Sequence, residues 1–424
     1  MIENKFTSFF LNKKKTNFFI YGFGQVFNLI SPLLVVPKIV FVCGVSAFGK
    51  VSLSFSLCLF LILIVDYAFD IKGTKEVSEN RYNAHKLQEI LNTTIFTKIV
   101  LFILAFILAI LVIFFFKLFY QEKNLFLMSL VIVFAQVFNP VWFLQGVENF
   151  KLITILNIGS KLLYVLLVYL LINTKDDYLF INLFLGLSSL FFNAIGLLII
   201  KKKYVFKIVF PKYNVVKNII KKDFSFCISQ LSLSIRQLSP LVLTSYFLGF
   251  SLAGQYKVLE QVISLCRTFI QVFLKFFYPS VCLKYKNNKK EGIHYWKKYT
   301  IFIVFIIFSI ISTIYCFSNA TLQFFHLTSQ DINSISSLFK VSLIVSLLMS
   351  ISLPLEQLMF VQEKHIKYVR TTILITLTNL IIILLFIHSF QLKAIIFSLI
   401  FAELLFIFFY YIFTKKGAIN NIKK

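Results

Sequence analysis

About twelve apolar runs, each close to 20 residues long, limit what this chain can fold into. Such a run crosses the ~30 Å hydrocarbon core of a bilayer as a helix, because in lipid the backbone must hydrogen-bond within its own segment. Of the 424 residues, 59% are hydrophobic and 14% charged, which no soluble surface tolerates. The runs are too long for the strands of an outer-membrane barrel. We predict an all-α polytopic membrane protein with about twelve transmembrane helices.

Charge distribution predicts the orientation of these spans. The spans lie at approximately 17–42, 46–71, 93–116, 124–144, 152–172, 178–200, 223–248, 251–282, 298–317, 334–361, 366–388 and 392–414. Of the 43 Lys and Arg residues, 30 lie in the two termini and in the loops on the same side of the membrane as the termini. Only 4 lie in the loops on the opposite side, and the other 9 lie within the spans. The positive-inside rule therefore predicts that both termini are cytoplasmic. Topology and attraction to anionic membrane lipids explain the net charge of +26, which does not indicate a nucleic-acid partner.

No enzyme, metal or cofactor site is recognisable in the sequence. The six cysteines are scattered without a CxxC pair, and the five histidines have no clustered partners. The longest external segment, SNATLQFFHLTSQDIN, is too short for a catalytic domain. We therefore predict a protein that is not an enzyme and that uses no cofactor or metal.

The two halves of the chain resemble each other. A shift of 205 residues superposes four identical pairs in the same hairpin of each half: Gln25 on Gln230, Gly44 on Gly249, Ser46 on Ser251 and Gly49 on Gly254. Repeats of six spans give both halves the same orientation, as in transporters built of two parallel repeats. We predict two six-helix lobes, 1–200 and 223–424, which are joined by a basic cytoplasmic loop, 201–222, and enclose a central cleft.

One face of the predicted span 251–282 is polar. At 100° per residue, six positions fall within an arc of about 80°, namely Lys257, Glu260, Ser264, Arg267, Gln271 and Lys275. We call these six residues the polar stripe. One interpretation is a water-filled path lined by cations. The other is that Lys257 pairs with Glu260 and Lys275 reaches the cytosol, which leaves only Arg267 to explain. We favour the path, because ionisable residues within a membrane face cavities by default.

Other polar residues within the spans are further candidates. Arg236 lies near the middle of its span, and Lys38 lies near the outer end of the first span, where it could also simply reach water. Gln25 and Asn28 share one face of that first span with Pro32. We expect Arg236 and Lys38, together with these two residues, to contact substrate.

Acidic residues within the spans are candidates for coupling or gating. We expect such a role for Glu260 and Asp66. Asp66 and Asp70 also fit a helix-end charge pair with Lys72 and Lys75, which is the favoured interpretation for Asp70.

At these residues the chain resembles the Wzx-type O-antigen flippases, which are polysaccharide exporters of the multidrug/oligosaccharidyl-lipid/polysaccharide superfamily. The resemblance covers about the first 285 residues. It rests on Gln25, Asn28, Pro32, Pro37, Gly44, Phe48 and Gly49, on VDYAFDIKGTKEVSENR, on NPVWFLQGVE at 139–148, on LGFSLAGQYKVLEQ and on Tyr278-Pro279. The chain departs from the family pattern at Ala68, Lys38 and Gln261, where Gly, an aromatic residue and Lys are usual.

The resemblance implies a flippase that moves an undecaprenyl-pyrophosphate-linked oligosaccharide unit from the cytoplasmic to the periplasmic leaflet of the bacterial inner membrane. It also implies alternating access, an ion gradient, and a polysaccharide polymerase and chain-length regulator as partners. A drug or cation antiporter of the same superfamily would have an acidic interior, whereas nine cations lie within the spans against about five acids. A membrane O-antigen polymerase would have a large external loop, which the sequence lacks.

Overall fold

The computed structural model describes residues 2–67, 69–204, 207 and 209–419. Their side chains are described at positions 24 and 27 and from 31 onward, except at 213, 222, 223, 225, 226, 228–230, 232, 233, 279 and 416–419. Every regular element in these residues is helical, which confirms the predicted all-α fold. The chain divides into two compact units, 1–234 and 235–424.

The first unit contains eight helices in its described residues and the beginning of a ninth. They are α1 (Ile2–Asp66), α2 (Thr74–Glu79), α3 (Ala84–Phe115), α4 (Lys117–Tyr120), α5 (Lys123–Val137), α6 (Val141–Gly146), α7 (Phe150–Leu171), α8 (Ile181–Tyr204) and α9 (Tyr213–Leu248). A π-helical turn, Phe69–Gly73, precedes α2, and a 3-10 turn, Lys175–Phe180, precedes α8.

The second unit contains the end of α9 and six further helices in its described residues. They are α10 (Phe250–Asn287), α11 (Lys289–Cys316), α12 (Ser318–Phe324), α13 (Ser329–Val361), α14 (His365–Phe390) and α15 (Leu392–Ile419). Helix α10 bends by 44° between Tyr278 and Ser280.

The described helices account for fewer membrane spans than the twelve that the sequence predicts. Within the described residues, nine helices are long and apolar enough to cross a membrane, and ten if the bent α10 counts as one span. The predicted span 17–42 and most of 46–71 lie in α1, which ends at Asp66, and the predicted span 223–248 lies in α9. Parts of 17–42 and 223–248 fall on side chains outside the described residues.

A glycine with the same unusual backbone conformation interrupts the helices at corresponding places in the two units. Gly44 has φ 88° and ψ 165°, and Gly249, which lies 205 residues later, has φ 86° and ψ 174°. This region of φ/ψ space is open almost only to glycine. A Cβ at either position would meet nothing within 4 Å, so backbone conformation and not lack of space requires glycine here.

Buried polar side chains connect the helices of the first unit. Asn182 on α8 donates hydrogen bonds to the Val51 carbonyl on α1 (3.0 Å) and to the Ser129 hydroxyl on α5 (3.1 Å). Ser54 on α1 also donates to Ser129. Such bonds hold membrane helices together where lipid removes most of the hydrophobic driving force between them.

Helix α13 lies at the centre of the second unit, where it packs against α10, α11, α14 and α15. The indole N–H of Trp296 on α11 donates to the Pro354 carbonyl of α13 (3.1 Å). Gln357 of α13 donates to the Leu274 carbonyl of α10 (2.6 Å) and accepts from Tyr299 of α11. The three helices are thereby joined by buried hydrogen bonds.

We expect Gly44→Ala and Gly249→Ala each to destabilise the protein by about 1–3 kcal/mol, because alanine is strained in this conformation. The measurement is the thermal unfolding midpoint of the purified protein in detergent. Ser46→Ala, a change on the exposed side of the same hairpin, is the control. Equal midpoints for the glycine variants and this control would contradict the prediction.

Candidate functional site

The polar stripe lies on the accessible face of α10. Its six residues all keep part of their side chains exposed, and Gln271 and Lys275 are the most exposed among them. Residues between them along the helix, such as Val258, Ile263 and Ile270, are buried against the rest of the second unit. The sequence therefore directs its apolar positions to the core and the stripe away from it.

Lys257 and Glu260 form an ion pair one turn apart on α10, with 2.6 Å between Nζ and Oε2. Arg267 follows two turns after Glu260, within electrostatic reach of that carboxylate. Within the described part of the chain, Arg267 makes neither a hydrogen bond nor an ion pair, although its side chain is half-buried. The stripe therefore offers one arginine whose five N–H donors are available to a ligand.

Arg236 on α9 has a different environment from Arg267. Its guanidinium pairs with Glu403 of α15, whose side chain is 3% exposed, and lies 4.1 Å from the centre of the Phe406 ring. Ser352 of α13 donates a hydrogen bond to the other carboxylate oxygen of Glu403. Arg236 therefore compensates a buried carboxylate and connects three helices of its unit.

Asp66 lies at the end of α1 and accepts two hydrogen bonds from other helices. Lys98 Nζ on α3 donates to one carboxylate oxygen (2.8 Å), and the Gln136 amide on α5 donates to the other (2.7 Å). Asn139 in turn donates to the Gln136 carbonyl oxygen (3.1 Å). Lys75, one of the alternative partners considered above, pairs with Glu79 (3.7 Å).

Lys98 is the residue of this network that sequence reasoning missed. Its side chain is 0% exposed, which for a lysine within an apolar run requires a counter-charge. The signal was present in the sequence, because Lys98 interrupts the predicted span 93–116. Its partner could not be found from sequence, since Asp66 lies 32 residues away.

Lys38 is the remaining candidate whose side chain the structure describes. Lys38 is partly buried, and its ammonium lies 6.0 Å from the centre of the Tyr169 ring, at the limit of a cation–π contact. The side chains of Gln25 and Asn28, and Ala68, lie outside the described residues.

The two sequence motifs of the first unit pack directly against each other. Thr74 donates a hydrogen bond to the Trp142 carbonyl (3.0 Å), and Arg81 donates to the Gly146 carbonyl (3.1 Å) and pairs with Glu148 (3.1 Å). A Cβ on Gly146 would lie 2.5 Å from the Val77 side chain. The VDYAFDIKGTKEVSENR and NPVWFLQGVE segments are therefore packed together and hydrogen-bonded to each other.

The described residues contain no group of three or more His, Cys, Asp or Glu side chains that could hold a metal ion. The site consists of charges paired within each unit and a partly exposed row of polar side chains on one helix.

Solved structures identify the class of this fold. The chain matches an inward-facing multidrug resistance MATE family transporter of the MOP superfamily with a TM-score of 0.70, over 91% of this chain and 95% of that one, at 14% identity. It matches the lipid II flippase MurJ in an inward closed conformation with a TM-score of 0.71, over 94% of this chain and 87% of that one, at 14% identity. The chain therefore has the polytopic all-α fold of these membrane proteins.

The sequence comparison then identifies the family. Residues 15–280 match the polysaccharide biosynthesis protein family, and the chain belongs to it. A curated relative from Escherichia coli K12, named "Putative O-antigen transporter", is 22% identical over 64% of this chain. A relative of the same name from Shigella dysenteriae is 21% identical over 65% of this chain. The chain spans about 65% of the length of the first relative and 68% of the second. The resemblance predicted from the motifs is confirmed.

The Asp66–Lys98 pair leads to a test of stability. We expect Asp66→Asn to destabilise the protein by about 3–5 kcal/mol, because it leaves the buried Lys98 charge without compensation. Asp66→Asn combined with Lys98→Met should recover most of the loss, since both charges are then absent. The measurement is the unfolding midpoint and the yield of monodisperse protein.

The matched control is Lys86→Met, which breaks an ion pair of the same 2.8 Å length with Glu89 at an exposed position. We expect it to change stability by less than about 1 kcal/mol. A double variant no more stable than Asp66→Asn would contradict the proposed compensation.

Proposed function

We propose that this protein is a flippase that moves undecaprenyl-pyrophosphate-linked oligosaccharide units, of the O-antigen type, from the cytoplasmic to the periplasmic leaflet of the bacterial inner membrane. Membership of the polysaccharide biosynthesis family and the names of the curated relatives support this class of substrate. The observation that carries the proposal is the polar stripe on the accessible face of a membrane helix, with Arg267 making no ion pair among the residues that the structure describes.

The requirements of the substrate match this feature. A pyrophosphate and sugar hydroxyls cannot cross hydrocarbon without hydrogen-bonding partners, whereas a polyprenyl tail can remain in lipid. An arginine binds phosphate oxygens through two parallel hydrogen bonds, which a point charge cannot reproduce. We propose that Arg267 binds the pyrophosphate and that Gln271, Lys275 and the Lys257–Glu260 pair line a hydrated path beside it. Alternating access would expose this path to each side of the membrane in turn.

The pairing of charges favours an anionic cargo over the cationic cargo of a drug antiporter. Asp66, Glu260 and Glu403 each pair with a cation in the described residues. Glu356, the next acid within the spans, accepts a hydrogen bond from Tyr368 (3.1 Å) and lies within electrostatic reach of Arg236. The acids are therefore engaged, while Arg267 remains available for an anion. A fold shared with multidrug transporters does not decide the substrate.

The other assigned roles are also part of this proposal. Lys38, Gln25 and Asn28 would contact substrate from the first span, and Arg236 would act by positioning, since Glu403 engages its guanidinium. Glu260 and Asp66 would couple transport to an ion gradient through their ion pairs. A polymerase and a chain-length regulator would use the translocated units.

A transport assay separates binding from structural roles. In cells that lack the gene, we expect Arg267→Ala at normal protein abundance to reduce export of lipid-linked units about tenfold or more, because a charge-assisted hydrogen bond is lost. Arg267→Lys should retain part of the activity. Arg236→Ala should instead lower protein abundance, because Glu403 is left buried without its partner.

The control for this assay is Arg370→Ala, which removes an exposed arginine from α14 and should leave export unchanged. Normal export by Arg267→Ala would overturn the assigned role of this residue. Export lost only for cationic drugs, with lipid-linked units unaffected, would favour the antiporter.

Chemical labelling tests whether the stripe meets water. We expect Gln271→Cys to react with a membrane-impermeant maleimide, and Phe276→Cys, an exposed apolar position on another face of α10, to remain unlabelled. Cys282 and Cys316 would first be replaced by Ser, because the other native cysteines are buried. Labelling of neither variant would show that the stripe faces acyl chains.

A further inference from the structure

A cavity of about 830 Å³ opens between α10 and α11, away from the polar stripe. Its volume lies within the range of about 300–1,000 Å³ that is typical of small-molecule sites. Phe277 and Tyr299 stack at its back with 5.0 Å between ring centres. Lys284, His294 and Lys298 line one end, and Phe302 and Phe305 line the other.

The cavity is polar at one end and apolar along the rest of its length. From His294 to Phe305, α11 advances about 16 Å, close to half of the ~30 Å hydrocarbon core. Lys298, Phe302 and Phe305 are all exposed on the same face of the helix. The cavity is about as deep as a single leaflet, and the positive-inside rule places its charged end at the cytoplasmic membrane surface.

The polar end lies in the most basic stretch of the second unit that the structure describes. KYKNNKKEGIHYWKK, residues 284–298, contains six lysines and one acid. That acid, Glu291, pairs with Lys284 at 3.4 Å, and the Lys284 ammonium lies 4.3 Å from the centre of the Tyr295 ring. Lys298 and His294 have no acidic partner in the described residues and remain available to a phosphate.

The walls of the cavity are held in place by the packing of the second unit. Gly292 allows the start of α11 to pass the end of α10, because a Cβ there would lie 2.4 Å from the Tyr285 Cα. Trp296 and the hydroxyl group of Tyr299 on α11 are hydrogen-bonded to Pro354 and Gln357 of α13. The two helices that form the cavity, α10 and α11, are therefore held together and against α13 by close packing and buried hydrogen bonds.

We propose that this cavity binds one anionic glycerophospholipid of the cytoplasmic leaflet. Its phosphate would contact Lys298 and His294, and an acyl chain would follow Phe302 and Phe305 toward the bilayer centre. Basic pockets between membrane helices on the cytoplasmic side are suited to acidic headgroups. A compact headgroup fits the short polar end, whereas an oligosaccharide would require polar lining well beyond it. The inference does not depend on the transported substrate.

The test uses the full-length protein in phosphatidylcholine vesicles that contain phosphatidylglycerol with a photoactivatable acyl chain. We expect crosslinks to concentrate on residues 298–305, and unlabelled phosphatidylglycerol to compete for the site whereas phosphatidylcholine does not. Lys298→Gln should reduce crosslinking about fivefold, because one lysine near an anionic lipid contributes about 1 kcal/mol, which corresponds to about a fivefold change in affinity.

Lys297→Gln is the matched control, since Lys297 is equally charged and exposed but lies outside the cavity lining. It should reduce crosslinking by less than about twofold. Phosphatidylglycerol should also raise the unfolding midpoint of the unmodified protein and of the Lys297 variant more than that of the Lys298 variant. Equal competition by phosphatidylcholine, equal effects of the two lysine variants, or stronger displacement by undecaprenyl phosphate would each overturn the proposal.

Discussion

Compensation of charge within hydrocarbon is the constraint on which this structure depends. An ionised side chain inside a membrane span is costly unless it finds a counter-charge or water. The Asp66–Lys98, Lys257–Glu260 and Arg236–Glu403 pairs all meet this requirement by contact. Arg267 does not, among the described residues, which is why it is the strongest candidate for contact with a ligand.

The motifs that carry the family resemblance have a structural explanation. Trp142 and Gly146 pack against the segment that follows α1, where a Cβ on Gly73 would lie 2.9 Å from the Trp142 ring. Asn139 supports Gln136, which in turn holds Asp66. These residues therefore position helices and charges within the first unit, and their spacing reflects packing.

The repeat predicted from the sequence coincides with a backbone conformation that the two units share. Gly44 and Gly249 share a conformation that other residues adopt only with strain, although nothing crowds either position. Two helices can change direction there without a long loop. The conformation depends on the backbone alone, so it explains why these glycines align when the two halves are compared by sequence.

Much of the fold followed from sequence because hydrocarbon thickness and the backbone hydrogen-bond requirement leave few alternatives to apolar helices. The polar stripe was likewise predictable, since helical periodicity alone places Lys257 and Arg267 on one face. Tertiary structure decided which charges are compensated. Arg236 and Arg267 look equivalent in sequence, yet one contacts Glu403, 167 residues away, and the other does not. Lys98 acquired its role in the same way, because ion pairing depends on which helices pack together, and no local pattern in the chain specifies that.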